Sequence, residues 1–93
     1  MFKDLDPILH SQLRLAVVSL LVKNAKMEFN DIKSETNATA GNLSVQLKKL
    51  EQAGYITITK SFKNNYPLTK AEITEKGLNA FDQYVKNIQQ YLK

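Results

Sequence analysis

The spacing of apolar residues changes along the chain, and each change marks an element. Between Ile8 and Val22 the apolar residues Leu9, Leu13, Leu15, Ala16, Val17, Val18, Leu20 and Leu21 surround most of a helical circumference. Asp6-Pro7 ahead of them offers a carboxylate to free amides and a proline whose φ suits a first turn. A first helix is therefore expected from Pro7 to about Lys23. Being apolar nearly all round, it needs cover on more than one side, from the last helix of the chain or from a second subunit. Phe29 and Ile32, three apart among polar neighbours, give a short helix over Glu28 to Glu35, and Asn37-Ala38-Thr39 reads as a turn.

Leu43, Leu47 and Leu50 then fall at i, i+4 and i+7, one stripe of a helix spanning about residues 40–53. Thr39 is its expected cap, and Gly54 its left-handed stop. Past Gly54 the period drops to two. Ile56 and Ile58 share one face of a strand over Tyr55 to Lys60, Ser61 to Pro67 is a polar loop with Asn64-Asn65 at its tip, and Leu68 to Ile73 returns with Ala71 and Ile73 inward. Thr74 caps a long last helix over about residues 75–92. Its residues Leu78, Phe81, Val85, Ile88 and Leu92 form a heptad-like seam. Leu78 and Phe81 are expected in the core, the rest projecting beyond it.

These elements make one domain over residues 1–93, mainly α with a small β-hairpin. A helix-turn-helix followed by a hairpin at about residues 55–73 is the winged helix topology, here with a long C-terminal dimerisation helix. A hydrophobic fraction of 43% is sufficient for one small core.

Charge sharpens the picture. The formal net charge is +4, and Gly54 to Lys70 holds Lys60, Lys63 and Lys70 without an acid, so an anionic partner is favoured and the basic density lies in the hairpin. The face of the 40–53 helix opposite its leucines carries small, amide and cationic groups, a surface suited to double-stranded DNA. Asn42, Ser44 and Val45 sit at its exposed start, where an asparagine amide meets adenine in a bidentate contact and valine meets a thymine methyl. Lys48 and Lys49, a turn later, are expected on phosphates, with Thr39, Ala40 and the helix amides. Lys60, Lys63, Asn64 and Asn65 form the hairpin contact and add affinity more than sequence choice. Gly41 costs the helix ~1 kcal/mol relative to alanine. Either it lets the backbone approach DNA, or it fits a tight helix crossing.

The surplus apolar surface of the first and last helices points to a homodimer through Leu9, Leu13, Val17, Tyr84, Val85, Ile88, Tyr91 and Leu92. The alternative is a last helix folded back on the first within one chain.

Other chemistry is thin. The absence of cysteine removes disulfides and thiolate metal sites and fits a cytoplasmic protein. The longest apolar run, Val17 to Val22, is too short for a membrane span, which needs ~20 residues, and no basic-then-apolar leader is expected. His10, the only histidine, has no nucleophile at a recognisable spacing, and the acids are scattered over caps and helix faces. No enzyme, no metal site and no cofactor is expected.

The run Gly41-Asn42-Leu43-Ser44, with Leu47, Leu50, Ala53-Gly54-Tyr55, Pro67, Thr69 and Thr74-Glu75-Lys76-Gly77, resembles the small stand-alone winged helix regulators related to the MarR and ArsR groups of transcription factors. The resemblance covers almost the whole chain. It implies that the helix from Ala40 to Ala53 enters the major groove and that the hairpin tip reaches the neighbouring backbone or minor groove. Such wings are often rich in arginine, whereas Lys63 stands between Phe62 and Asn64 here and Leu68 follows Pro67, so this wing is expected mostly to position. A single histidine and no cysteine disfavour the metal-sensing branch. The expected function is a homodimeric, sequence-specific DNA-binding transcriptional regulator, a repressor occupying an operator. The competing reading is a winged helix protein-interaction module docking an acidic partner. A small-molecule effector, its identity unknown, has only the junction of the first and last helices to occupy.

Overall fold

The computed structural model describes residues 2–92. Four helices and three strands follow in the order α1 (Gln12–Asn24), β1 (Lys26–Glu28), α2 (Phe29–Thr36), α3 (Ala40–Gln52), β2 (Ile56–Lys63), β3 (Tyr66–Ile73) and α4 (Glu75–Ile88), with a closing 3-10 turn at Gln89–Tyr91. The sheet is antiparallel throughout, in the order β1-β3-β2. This is a winged helix, with the C-terminal helix in place.

Leu9, Val17, Val18, Leu21, Ile32, Leu43, Leu50 and Ile56 are fully buried and form the centre of one core. Burying each such side chain contributes about 1.5–3 kcal/mol. The leucine stripe therefore fixes which way α3 faces, since turning it outward would forfeit three of these contributions at once.

The first helix departs from expectation at its start. Asp6 does cap, its carboxylate accepting from the Ile8 amide at 2.8 Å, but it closes only a single turn in which the His10 amide reaches the Asp6 carbonyl. Ser11 is extended, at φ −151°, and α1 begins after it at Gln12. Arg14 explains why the turn stays apart. Its guanidinium Nε donates to the Ile8 carbonyl at 2.7 Å, satisfying from the side a group that a continuous helix would have paired internally.

Three further boundaries differ. β1, with three residues, is too short to show a period, and it is recognised only through its pairing of Met27 with Ala71. The loop expected over Ser61 to Pro67 is instead two residues long: β2 runs to Lys63, β3 starts at Tyr66, and Asn64 and Asn65 have φ of 53° and 66°. Asparagine tolerates that left-handed backbone, so the pair closes a tight hairpin turn without glycine. Pro67 fits the strand because β1 pairs with β3 only at residues 70–72, leaving no neighbour to want its missing N–H. Finally, α4 ends at Ile88 and not at Leu92.

The core-facing stripe of α4 is also offset from the expected seam. Gly77 and Tyr84 are its buried residues, with Ala80, Phe81 and Ile88 packed partly against the core, whereas Leu78 is 41% exposed. Gly77 dictates this rotation. A Cβ there would lie 2.2 Å from the Tyr55 carbonyl oxygen, so only glycine lets α4 press on the root of the hairpin. Thr74 caps α4 as expected, accepting from the Gly77 amide at 3.0 Å while its hydroxyl donates to the Gly54 carbonyl at 2.7 Å.

The N-terminal segment folds back along α4. Tyr91 donates to the Lys3 carbonyl at 2.9 Å, Phe2 stacks on the Tyr91 ring with centroids 4.7 Å apart, and His10 Nδ1 lies 3.1 Å from the Tyr84 hydroxyl. Leu9, Val17 and Tyr84, expected at a dimer interface, are thus enclosed by the chain itself. They have no surface left to offer a second subunit in this arrangement. Leu13, Val85 and Ile88 are half-buried, and Tyr91 and Leu92 are exposed. Among the described residues, no helix is long and apolar enough to cross a membrane.

Candidate nucleic-acid interface

The exposed side of α3 is built by subtraction. Leu43, Leu47 and Leu50 turn inward, so Gly41, Asn42, Ser44, Val45, Lys48 and Lys49 are left outward, with Val45 half exposed at 51%. Thr39 delivers the helix at a defined angle. Asn37 stops α2 in the left-handed region at φ 57°, and the Thr39 hydroxyl oxygen accepts from the Asn42 amide at 3.2 Å. That contact uses the oxygen of Thr39 for the cap and leaves its hydroxyl proton for another acceptor. Ala40 is exposed at the helix start.

Gly41 meets nothing. A Cβ built on it finds no atom within 4 Å, so no helix crossing inside the chain requires glycine there. Packing within the chain therefore does not offset the propensity cost of Gly41.

The hairpin stands beside this face. A groove of about 580 Å³ runs between them, lined by Ser44, Lys48 and Glu51 of α3 and by Lys60 and Thr69 of the strands, with Phe29, Leu47 and Ile58 supplying apolar walls. Strand alternation splits the expected hairpin cluster. Lys60 shares the face of Ile56 and Ile58 and reaches the groove, while Lys63 is three residues on and faces the other way, into a cleft with Leu68 and Lys70. Asn64 and Asn65 cap the tip. The single acid in the groove, Glu51, pairs with Lys48 at 3.6 Å, an exposed contact of little energetic weight that lowers the local positive charge.

Two residues that sequence reasoning passed over organise the face. Arg14, the only arginine, points its Nη1 at the Gln46 Oε1, and Gln46 Nε2 donates in turn to the Asn42 Oδ1 at 3.0 Å. The signals were present: a lone arginine within an apolar helix, and two amides four apart on α3. Their joint meaning required the crossing of α1 over α3. Phe62 and Tyr66, on opposite faces of the hairpin near its tip, are also strongly exposed.

An outward helix carrying amides and ammonium groups, capped at its start and flanked by a basic hairpin, has the donor groups and positive charge that duplex recognition uses. Comparison with known proteins agrees. The chain is 38% identical over 86 residues to an uncharacterized protein of Methanocaldococcus jannaschii, spanning 92% of this chain and 94% of that one. The solved transcriptional regulator homologue of Pyrococcus horikoshii superposes with a TM-score of 0.85 at 26% identity, over 91% of this chain and 84% of that one. The YusO protein of Bacillus subtilis shares the fold at a TM-score of 0.79 and 17% identity, over 88% of this chain and 57% of that one. The MarR-like type of winged helix, expected from the resemblance, fits these neighbours. Residues 13–92 match the family model of the winged helix DNA-binding domain, and the chain belongs to that family.

Proposed function

We propose that the protein is a homodimeric, sequence-specific regulator of transcription, a cytoplasmic repressor that occupies an operator in duplex DNA. The observation that carries this reading is the unpartnered face of α3: Gly41 in open space, Asn42, Ser44 and Val45 exposed beside it, and Lys48 and Lys60 across one groove. Asn42, Ser44 and Val45 read base edges. Thr39, Ala40, Gly41 and Lys49 hold phosphates through the helix amides and the ammonium, and Lys60 anchors the hairpin, with Lys63, Asn64 and Asn65 at the tip following the backbone. The transcriptional regulator homologue of Pyrococcus horikoshii supports the regulatory role.

The dimer is assigned to the outer surface of the C-terminal turn. Tyr91 and Leu92, with Leu78, Val22 and Phe2, are the exposed apolar residues away from α3 and the hairpin. Leu13, Val85 and Ile88 are half-buried and offer less surface. A two-fold dimer would set two α3 helices on successive turns of one duplex face.

Selection of bound sites from a random duplex pool at a stated salt concentration, with light scattering of the free protein, tests both parts. An enriched, two-fold symmetric site and a mass twice that of the chain are expected. Affinity without sequence enrichment would overturn the operator reading, and a single-chain mass would overturn the dimer.

A further inference from the structure

The Arg14, Gln46 and Asn42 contacts form a directional relay, and its direction follows from chemistry. Arginine has donors only, so the Gln46 atom facing it is the carbonyl oxygen. The Gln46 NH2 must then face Asn42, which answers with its own oxygen at 3.0 Å. What remains at the exposed end of Asn42 is its NH2, a group that donates and cannot accept. Arg14 is itself held by the Ile8 carbonyl at 2.7 Å and by the Pro7 carbonyl at 3.5 Å, which stops the guanidinium from turning.

We infer that Arg14 and Gln46 are positioning residues that set the base preference of Asn42: with its oxygen held by Gln46, Asn42 presents its NH2 and prefers the keto bases, guanine with O6 beside N7 or thymine with O4, over adenine, whose N7 acceptor lies beside the N6 donor, and over cytosine, which offers only the N4 donor in the major groove. The bidentate adenine contact expected from sequence needs the amide oxygen turned toward adenine N6, and the relay holds that oxygen toward Gln46. The inference rests on the proposed duplex-binding role of α3. Among the residues of that face, Asn42 alone combines exposure with an amide whose orientation is fixed from behind.

The test exploits an isosteric change at a residue that does not touch DNA in this scheme. In Gln46→Glu, the carboxylate accepts from Arg14 with one oxygen and offers only an acceptor with the other. Asn42 must turn by half a rotation to donate, and its oxygen then faces the groove. The preferred base at the Asn42 position is expected to change from keto to amino, cytosine N4 or adenine N6, with a discrimination of about three- to tenfold. Overall affinity falls as well, from the added negative charge, so the readout is the ratio among four duplexes differing at one base pair of the selected site.

Asn42→Asp supplies the second arm, since a carboxylate there accepts from Gln46 and presents an acceptor outward, and it should move the preference in the same direction. In an Asn42→Ala background, Gln46→Glu should leave the base ratio unchanged. A parent that prefers keto bases and a Gln46→Glu variant that prefers amino bases establish the relay. An unchanged preference in Gln46→Glu overturns it, as does a switch that persists without Asn42, which would place Gln46 itself on the base. A parent that shows no specific duplex binding at all would instead remove the underlying DNA-binding role.

Discussion

The Tyr55 phenol donates to the Asp6 carboxylate, joining the root of the hairpin to the N-terminal turn across 49 residues of sequence. Burial first, then the hydrogen bond and the negative charge of Asp6, push the Tyr55 pKa from 10.0 up to about 12. The neutral phenol is thus favoured by folding. Its contribution is fully present below pH 10, where both states keep the proton. It is lost as pH rises toward about 12, where the folded state ionises too. Denaturant titrations at a series of alkaline pH values should show stability falling through this window by about 2 kcal/mol. Tyr55→Phe should lose about 1–2 kcal/mol at neutral pH and remove this group's share of the alkaline slope. An equal slope in the variant would assign it elsewhere.

Two glycines should respond to alanine in opposite ways. At Gly77 the new Cβ would collide with the Tyr55 carbonyl oxygen at 2.2 Å and the Ile73 Cδ1 at 2.8 Å, so α4 must shift, and thermal unfolding should reveal a loss of about 3 kcal/mol or more. At Gly41 the space is open and the conformation helical, so alanine should stabilise by up to ~1 kcal/mol. The same Gly41→Ala protein should bind its duplex site more weakly. Unchanged binding would return Gly41 to the ordinary background of the helix.

The two threonine caps differ in what they hold. Thr39 satisfies one amide at an exposed helix start, and Thr39→Ala should cost about 1 kcal/mol. Thr74 satisfies the Gly77 amide and the Gly54 carbonyl together in a half-buried position, so Thr74→Ala should cost roughly twice as much by the same reckoning. Urea midpoints of the two variants measure the difference, and parity would mean that the Gly54 contact carries no net stability.

Glu51 opposes the role proposed for its groove, pairing with Lys48. Glu51→Gln should free Lys48 and raise duplex affinity several-fold at low salt. Replacing Lys48 and Lys49 together by alanine should lower the slope of log affinity against log salt by about two. Fluorescence anisotropy over a range of salt concentrations gives both numbers. An unaltered slope would show that neither ammonium meets a phosphate.

Much of the architecture was legible because periodicity reports burial. Leu43, Leu47 and Leu50 announced α3 and its inward side, and Gly54 and Thr74 marked its end and the start of α4. The misreadings share one cause, which is that tertiary contacts override local signals. Asp6-Pro7 is a sound helix start, yet the Arg14 side chain satisfies the Ile8 carbonyl and confines the cap to one turn. The seam from Leu78 to Leu92 is a fair heptad, yet Gly77 rotates α4 so that Tyr84 turns inward. Lys60 and Lys63 are close in sequence but on opposite sides of a strand that extends further than its composition suggested. The outward residues of α3 were readable one by one, whereas the relay behind Asn42 joins positions 32 residues apart and has no linear signature.

The strand order β1-β3-β2 gives β2 a neighbour on one side only. Its other side presents unpaired backbone amides and carbonyls over most of eight residues, a template on which a second extended chain could add itself. Lys60 and Lys63 lie on that strand, and a second copy pairing there would bring its own ammonium groups close to theirs. The hairpin lysines therefore disfavour self-association along this edge, apart from the role on DNA proposed for them. A variant with both replaced by apolar residues should precipitate or form higher aggregates, so loss of DNA binding in such a protein has meaning only beside a measurement of its solubility.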